Sequence, residues 1–254
     1  MILHIPYSST KISDDFMVDD GVSLKKEFER MTDWYTDELF DFPEAKKLVF
    51  QYSRLYCDVE RYRNDEDEEM AAKGMGVCYE KTSFGTKLRG VSQDEKDFIK
   101  LNYYDTHHKQ FTGMVKDELE KDGNAIIVDC HSFSNEVLPH EESLVRPDIC
   151  VGTYEYHTPV VLSTLVCAAF INAGFSVDTN EPFAGTIVPL DFLNKNKNVT
   201  SIMIEVNRKL YLDSNFQKNK NFYKIKTIIT DVLKTMREYE KNSKKDLKDD
   251  NSRS

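Results

Sequence analysis

The stretch Ala-Ile-Ile-Val-Asp-Cys-His-Ser-Phe at residues 125–133 decides how the chain folds. Its first part, Ala125–Asp129, is a short apolar run rich in β-branched side chains, with polar residues on both sides. A run of this length between polar boundaries is typical of a buried strand. The segment therefore predicts a strand inside a sheet, with His131 just beyond the strand's carboxyl end.

Further runs of the same kind alternate with helical patterns. The strand-like runs are Ile2–Ile5, Leu48–Tyr52, Ile149–Gly152, Thr200–Val206 and a weaker one at Ser176–Thr179. The helical patterns cover residues 92–121, 158–173 and 214–241, and the first begins with a capping box, Ser92 with Glu95. This alternation predicts an α/β sandwich around a mostly parallel central sheet. Residues 60–91 are charged and glycine-containing, and we expect them to form a long excursion over the surface.

Length, charge and cysteine content limit the class of protein. A chain of 254 residues can form one domain, and we assign residues 1–241 to it. The polar segment 242–254 is predicted to be a disordered tail. A formal net charge of −10 argues against nucleic acid or an anionic membrane as a partner. Five cysteines without paired spacing and an N-terminus unlike a signal peptide favour a cytoplasmic location; the oligomeric state stays open.

Polar side chains collect where the predicted strands end, which is where ligands bind in open α/β sheets. Each of them has a structural and a functional interpretation. His131 is either a hydrogen-bonded core residue or a metal ligand oriented by a neighbouring polar group, and His4 could equally be packed against the sheet. Glu205 either pairs with an arginine such as Arg208 or acts as a general base. The arginines are either surface charges or forks that bind substrate carboxylates; they are Arg54, Arg61 and Arg208.

Seven blocks of the sequence resemble those of the N-formylglutamate amidohydrolase family, in the family's order. They are HIPYSST (4–10), MTDWYTDELF (31–40), SRLYCDVER (53–61), DCHSF (129–133), RPDICVGT (146–153), NEPFAGT (180–186) and IEVNRKLYLD (204–213). The resemblance implies a three-layer α/β/α sandwich related to zinc carboxypeptidases, with one catalytic zinc ion. It also implies hydrolysis of a small N-acyl amino acid, with N-formyl-L-glutamate giving formate and glutamate.

The resemblance also implies roles for particular residues. His131 and Asp33 would be metal ligands, and Glu205 would be the general base. The three arginines, together with the loop that carries Asn180 and Gly185, would bind the substrate. The substrate is thus expected to be a small acidic molecule.

Two positions depart from the family's pattern. Tyr7 stands where the family usually has a histidine, and tyrosine is a poor zinc ligand because its phenol has a pKa of about 10. Either His4 reaches the metal in place of that histidine, or the site is weakened. Glu60 stands where the family often has asparagine. Two alternative functions follow: an amidase or carboxypeptidase-like activity on another acyl amino acid or peptide, or a catalytically impaired member that binds a ligand.

Overall fold

The nine-residue strand Ala125–Phe133 lies inside the sheet that organises this protein. The computed structural model describes residues 1–139, 141 and 143–251, and only the backbone for residues 242–251. The described part contains a six-stranded sheet in the order β2-β1-β3-β6-β4-β5. Its strands are β1 Ile2–Ile5, β2 Lys46–Val49, β3 Ala125–Phe133, β4 Ile149–Gly152, β5 Val177–Thr179 and β6 Val199–Asn207. All neighbouring pairs are parallel except β4 with β6, so the predicted mostly parallel α/β sheet is confirmed.

The helices follow the predicted alternation, with shifted boundaries. They are α1 Leu24–Met31, α2 Thr36–Leu39, α3 Glu69–Ala72, α4 Gln93–Ile99, α5 Asp105–Asp122, α6 Val160–Asn172 and α7 Phe222–Asn251. The pattern over 92–121 becomes two helices joined by a π-helical turn at Lys100–Tyr104. Ser92 caps its start by accepting a hydrogen bond from the Glu95 backbone N–H, as the capping box predicts.

Both faces of the sheet are covered, because side chains alternate along each strand. On β3 the even-numbered residues from Ile126 to Cys130 belong to a core shared with α6 and α7. Ala125 and Ile127 face the other way and pack with Phe111 of α5. On this second face, α5 thus covers the sheet near the start of β3. Toward the carboxyl end of β3, the same face carries polar residues.

The segment 60–91 contributes no strand to the described sheet, as expected, but it is more than a surface excursion. It contains α3, and three of its apolar side chains are fully buried in a second apolar cluster: Val77, Tyr79 and Leu88. The composition of the segment does not reveal this core, because its apolar residues are scattered among charged ones. The segment is therefore a packed lobe beside the sheet.

The C-terminal helix differs from its prediction at both ends. It begins at Phe222 instead of residue 214, because residues 211–219 form a turn closed by a bridge between Leu212 and Lys218. Its backbone continues to Asn251, inside the segment predicted to be a disordered tail, of which residues 252–254 lie outside the described residues. In the described part of the chain, no helix is both long and apolar enough to cross a membrane.

Two glycines provide a matched test of the packing. A Cβ at Gly152 of β4 would lie 2.3 Å from the Gly185 carbonyl oxygen and 2.4 Å from Met203 Cε, whereas one at Gly113 of α5 would meet nothing within 4 Å. Gly152→Ala is expected to lower the free energy of unfolding by about 1–3 kcal/mol through overpacking. Gly113→Ala is expected to raise it by about 0.5–1 kcal/mol, because alanine restricts the unfolded chain in a helical position. Urea denaturation measures both, and a Gly152→Ala variant as stable as wild type would contradict the close approach.

Candidate active site

Register in the sheet brings the polar residues of three strands onto one face. His4 of β1 lies beside Asp129 of β3, and His131 of β3 lies beside Glu205 of β6. Asp129 and His131 are two residues apart, so their side chains point to the same face, and so does His4 across the pair. β3 continues through Phe133, so that His131 lies within the strand and not after it. These four residues form the floor of a buried polar cluster.

His131 is held between carboxylates on both edges of its ring. Its Nδ1 lies 3.0 Å from Asp33 Oδ2, while its Nε2 lies 3.0 Å from Asp129 Oδ1 and 3.2 Å from Glu60 Oε1. Burial alone would lower the pKa of His131, but the negative charges of Glu60 and Asp129 outweigh it and raise the pKa well above the usual value. The ring is therefore a fixed link between three separate segments of the chain.

His4 is fully buried and joins the same cluster from β1. Its Nδ1 lies 2.9 Å from Asp129 Oδ1 and 3.5 Å from Glu60 Oε1. Its Nε2 lies 3.0 Å from His107 Nε2, and its ring stacks on Phe111. Both of these partners belong to α5, the helix that packs on this face of the sheet. His4 thus reaches the Nε2 side of His131, whereas Asp33 lies at the Nδ1 side.

Burial and neighbouring charge also shift the carboxylates of the cluster. Burial, followed by the charge of Asp129, raises the pKa of Glu60. Burial would raise that of Asp129 too, but the two histidines outweigh it and hold the pKa below its usual range. The cluster therefore contains carboxylates in unlike electrostatic states, as is common at functional sites.

Glu205 is a buried carboxylate, one oxygen of which has no hydrogen-bond partner in the described part of the chain. Its side chain is 8% exposed, and Oε2 is without a partner among the described residues. Burial raises the pKa of Glu205 to about 8, and the nearby charge of His131 opposes this shift. An unsatisfied buried carboxylate is costly, so its position beside His131 calls for a functional reason.

Arg208 is fully engaged with the protein. Its five N–H groups have acceptors in Asp33 Oδ1, the Ser132 hydroxyl and carbonyl, and the carbonyls of Glu29 and Arg30. The guanidinium therefore anchors Asp33 against His131. Its predicted part in substrate binding would need these contacts to be exchanged.

A second charged cluster surrounds Asp58. This carboxylate accepts hydrogen bonds from Tyr7 (2.6 Å), Tyr79 (2.8 Å) and Arg54 (3.0 Å), and Arg61 Nε lies 3.4 Å away. Burial would raise the pKa of Asp58, but the arginines outweigh it and lower the pKa. Burial raises the pKa of Tyr7 well above its usual value, so its phenol stays protonated and bound to Asp58. The two arginines exceed the single carboxylate in charge, which leaves this cluster cationic.

Both clusters border one cavity of about 610 Å³. Among the residues that line it are Tyr7, Asp33, Arg54, Glu60, Arg61, His131, Glu205 and Arg208. The predicted loop contributes differently. Gly185 lines a second cavity of about 360 Å³ that shares Glu60 and Arg61 with the first, whereas Asn180 is exposed and binds Thr153 through its side chain.

The donor atoms of the cluster fit a divalent metal ion. His4, Glu60 and Asp129 each offer one ligand atom, and these atoms lie within 4.8 Å of one another. Imidazole nitrogens and carboxylate oxygens are ligands that zinc accepts. The ligands predicted from sequence, His131, Asp33 and His4, are thus brought into one region, but not to a single point.

Three members of the cluster were not assigned from sequence. His107 lies in a helical pattern with His108 beside it, and only the fold reveals that its ring meets His4. Glu60 lies in a charged segment and is apparent in sequence only as a departure from the family's asparagine. Alternation along the extended β3 would have placed Asp129 on the same face as His131.

Replacing Tyr7 tests the described role of its hydroxyl. Tyr7→Phe removes one hydrogen bond to the buried charge of Asp58 and is expected to lower the free energy of unfolding by about 1.5–3 kcal/mol. Tyr62→Phe is the control, because Tyr62 is 51% exposed and surface changes usually cost less than about 0.5 kcal/mol. Equal unfolding midpoints in urea for the two variants would contradict this role.

Comparison with known proteins identifies the fold and the family of the chain. A crystal structure of N-formylglutamate amidohydrolase from Ralstonia eutropha JMP134 superposes with a TM-score of 0.81 at 21% identity, covering 95% of this chain and 94% of that one. A gene product from Agrobacterium tumefaciens superposes with a TM-score of 0.65 at 15% identity, covering 93% and 91%. No curated protein sequence matches significantly. The sequence profile of the family described as N-formylglutamate amidohydrolase matches residues 1–212, and the chain belongs to that family.

Proposed function

We propose that this protein is a zinc-dependent amidohydrolase that cleaves the amide bond of a small N-acyl amino acid. N-formyl-L-glutamate is the first candidate substrate, and its products would be formate and glutamate. The observation that carries the proposal is Glu205, a buried carboxylate beside His131 in the cavity, with one oxygen that no described residue hydrogen-bonds. Family membership supports the reaction class.

The cationic cluster supports an acidic substrate. Arg54 and Arg61 line the cavity, and together they exceed the charge of Asp58. Arg61 Nε makes no hydrogen bond among the described residues and contacts Asp58 only as an ion pair at 3.4 Å, so the guanidinium could also bind a substrate carboxylate. We assign substrate carboxylate binding to these two arginines and the positioning of Asp33 to Arg208.

The zinc ion would be held in the buried cluster that contains His131 and His4, with Asp33 bound to the other nitrogen of the His131 ring. When bound there, it would supply Lewis-acid polarisation of the scissile carbonyl and lower the pKa of a water molecule. The donor atoms of His4, Glu60 and Asp129 and the burial of His131 support a metal ion in this cluster.

Glu205 carries the protons in this mechanism. Its Oε2 takes a proton from the attacking water, whose oxygen forms the new bond to the carbonyl carbon. The same proton then passes to the amide nitrogen as the C–N bond breaks, so that an acid and a free amine leave. A carboxylate with a pKa raised to about 8 holds such a proton readily.

A larger acyl group is the second candidate substrate. The cavity of about 610 Å³ lies in the range of roughly 300–1,000 Å³ that accepts drug-sized ligands, which are bulkier than formylglutamate. A panel of N-acyl glutamates with formyl, acetyl and longer acyl groups separates the two candidates. Hydrolysis of none of them, with metal bound, would favour a ligand-binding protein.

The cytoplasm is the location that we propose. The five cysteines are free thiols, as expected in a reducing compartment. The net charge of −10 supports a small molecule, and neither nucleic acid nor a membrane, as the partner.

Replacing Glu205 tests the proton-transfer role. Glu205→Gln keeps the shape of the side chain and is expected to retain zinc but to lower kcat by about 100-fold or more. Glu69→Gln, at an exposed residue that also lines the cavity, is the matched control and should keep the wild-type rate. An unchanged kcat in Glu205→Gln would remove this residue from the mechanism.

Arg61 tests the substrate charge. Arg61→Lys keeps the charge but loses the guanidinium fork, and we expect kcat/KM for N-formyl-L-glutamate to fall by about 10-fold or more. The same comparison with N-formyl-L-glutamine and with the α-amide of the substrate identifies which carboxylate is bound. The substrate in which an amide replaces the bound carboxylate should react at the same rate with wild type and with Arg61→Lys. Equal losses on all three substrates would argue against carboxylate binding by Arg61.

A further inference from the structure

We propose that the metal ion binds on the Nε2 side of His131, among His4, Glu60, Asp129 and His131, and that Asp33 orients His131 without touching the ion. This ligand set rests on the proposed function, in that the ion would be the one that serves hydrolysis. It differs from the set implied by the family resemblance in two ways. Glu60 and Asp129 become ligands, and Asp33 becomes a positioning residue.

Four of the six distances between the proposed ligand atoms are close to those around a tetrahedral ion. His4 Nδ1 lies 2.9 Å from Asp129 Oδ1 and 3.5 Å from Glu60 Oε1, and His131 Nε2 lies 3.0 Å and 3.2 Å from the same two oxygens. Zinc bonds to nitrogen and oxygen of about 2.0–2.2 Å place neighbouring tetrahedral ligands about 3.3–3.6 Å apart. A small outward movement of these side chains therefore admits the ion.

Each imidazole has a partner for its other nitrogen. A histidine that binds a metal through one nitrogen usually donates the N–H of the other to a fixed acceptor. Asp33 receives the Nδ1–H of His131, and Arg208 holds Asp33 in place through its other oxygen. His107 Nε2 is placed to receive the Nε2–H of His4, at 3.0 Å. Both rings can therefore turn an unprotonated nitrogen toward Glu60 and Asp129.

The local charge balance also favours a cation at this point. Among the described residues, the ion-pair partners of Glu60 and Asp129 are the two histidines, His4 and His131. The arginines nearby are committed elsewhere, Arg208 to Asp33 and Arg54 to Asp58. Metal binding requires both imidazoles to be neutral at the bound nitrogen, and the two buried carboxylates between them would then carry two negative charges that a divalent ion neutralises.

The proposed ligand set accounts for both departures from the family's pattern, at Tyr7 and at Glu60. Tyr7 is not available as a ligand, because its hydroxyl donates to Asp58 and Arg54 lies over its ring, 3.6 Å from the ring centre. Glu60 brings a carboxylate to the cluster where an asparagine would bring a neutral amide. The loss of one ligand at residue 7 is thus offset by a gain at residue 60, at the Nε2 side of the His131 ring.

Substrate can reach this position. Glu60 and Arg61 line both cavities, and Asp129 lines the smaller one, so the ion lies at the wall that the two cavities share. Glu205, in register with His131, borders the larger cavity beside it. A substrate bound to Arg61 would therefore have its amide near both the ion and Glu205.

Cobalt spectroscopy with two cysteine variants tests the ligand set. Cobalt(II) is loaded into wild-type protein, Asp129→Cys and Asp33→Cys, and the near-ultraviolet absorption is recorded. A cysteine thiolate bound to cobalt gives a charge-transfer band, and cysteine is close to aspartate in reach. We expect the band in Asp129→Cys alone. A band in Asp33→Cys, with none in Asp129→Cys, would overturn the proposal.

Zinc affinity provides a second measurement that does not depend on the cysteine variants folding. Removing a residue that hydrogen-bonds to a metal ligand lowers metal affinity by roughly 10–100-fold. Removing a direct ligand should therefore lower it by more than about 100-fold. Competition with a chromophoric chelator should show a loss of this size for Glu60→Gln. Glu69→Gln is the matched control in the same cavity, and Tyr7→Phe should also keep the affinity of wild type. Wild-type affinity in Glu60→Gln would overturn the proposal.

These measurements separate the ligand set from the proposed function. If wild type hydrolyses acyl amino acids but only Asp33→Cys gives the cobalt band, the ligand set fails and the function stands. If Asp129→Cys gives the band and wild type hydrolyses no member of the acyl panel, the ligand set stands and the function fails. Wild-type protein that binds neither cobalt nor zinc would overturn the ligand set and the metal dependence together.

Discussion

The constraint on which the rest of this structure depends is a buried imidazole with carboxylates at both of its nitrogens. His131 contacts Asp33 at Nδ1 and both Asp129 and Glu60 at Nε2, residues that are 98, 2 and 71 positions away along the chain. Burying so many ionisable groups is costly unless each is paired or hydrogen-bonded. The strand β3 supplies the fixed point, since its even-numbered residues are locked into the core with α6 and α7. The segments that carry Asp33 and Glu60 are then held by contacts with this one ring.

The fold was largely predictable because it follows from local patterns. The strands Ile2–Ile5 and Ile149–Gly152 match their apolar runs residue for residue, and β6 extends its run by one residue at each end. The misses have physical reasons. Strand β3 continues through Cys130, His131 and Ser132 because tertiary partners satisfy these polar side chains, which hydrophobicity alone cannot reveal. The lobe at 60–91 escaped detection because its core, including Tyr79, is assembled from scattered apolar residues.

The site was predictable only where a functional residue lies at the end of a strand or in a block of the family. His131 and Glu205 meet both conditions, and register brings them side by side. The contact between His4 and His107 depends instead on how α5 packs across the sheet, over a separation of 103 residues. Likewise, sequence could not choose between His4 and Tyr7, because the choice depends on side-chain partners. The hydroxyl of Tyr7 is bound to Asp58, while His4 faces Asp129.

The segment around Val59 connects the two charged clusters of the cavity. Asp58 gathers the arginines on one side, and Glu60, two residues later, joins the histidines on the other. Val59 between them is fully buried, and the Glu60 N–H donates to Asp58 Oδ1, so the separation of the two carboxylates is rigid. A cationic end and an anionic end are therefore fixed at a short distance along one stretch of backbone. In the proposed reaction, a substrate with a carboxylate at one end and an amide a few bonds away would match such a pair of sites, because the cationic end would bind the carboxylate and the anionic end would hold the metal ion. The spacing between Asp58 and Glu60 would then set the length of the acyl amino acid that the cavity accepts.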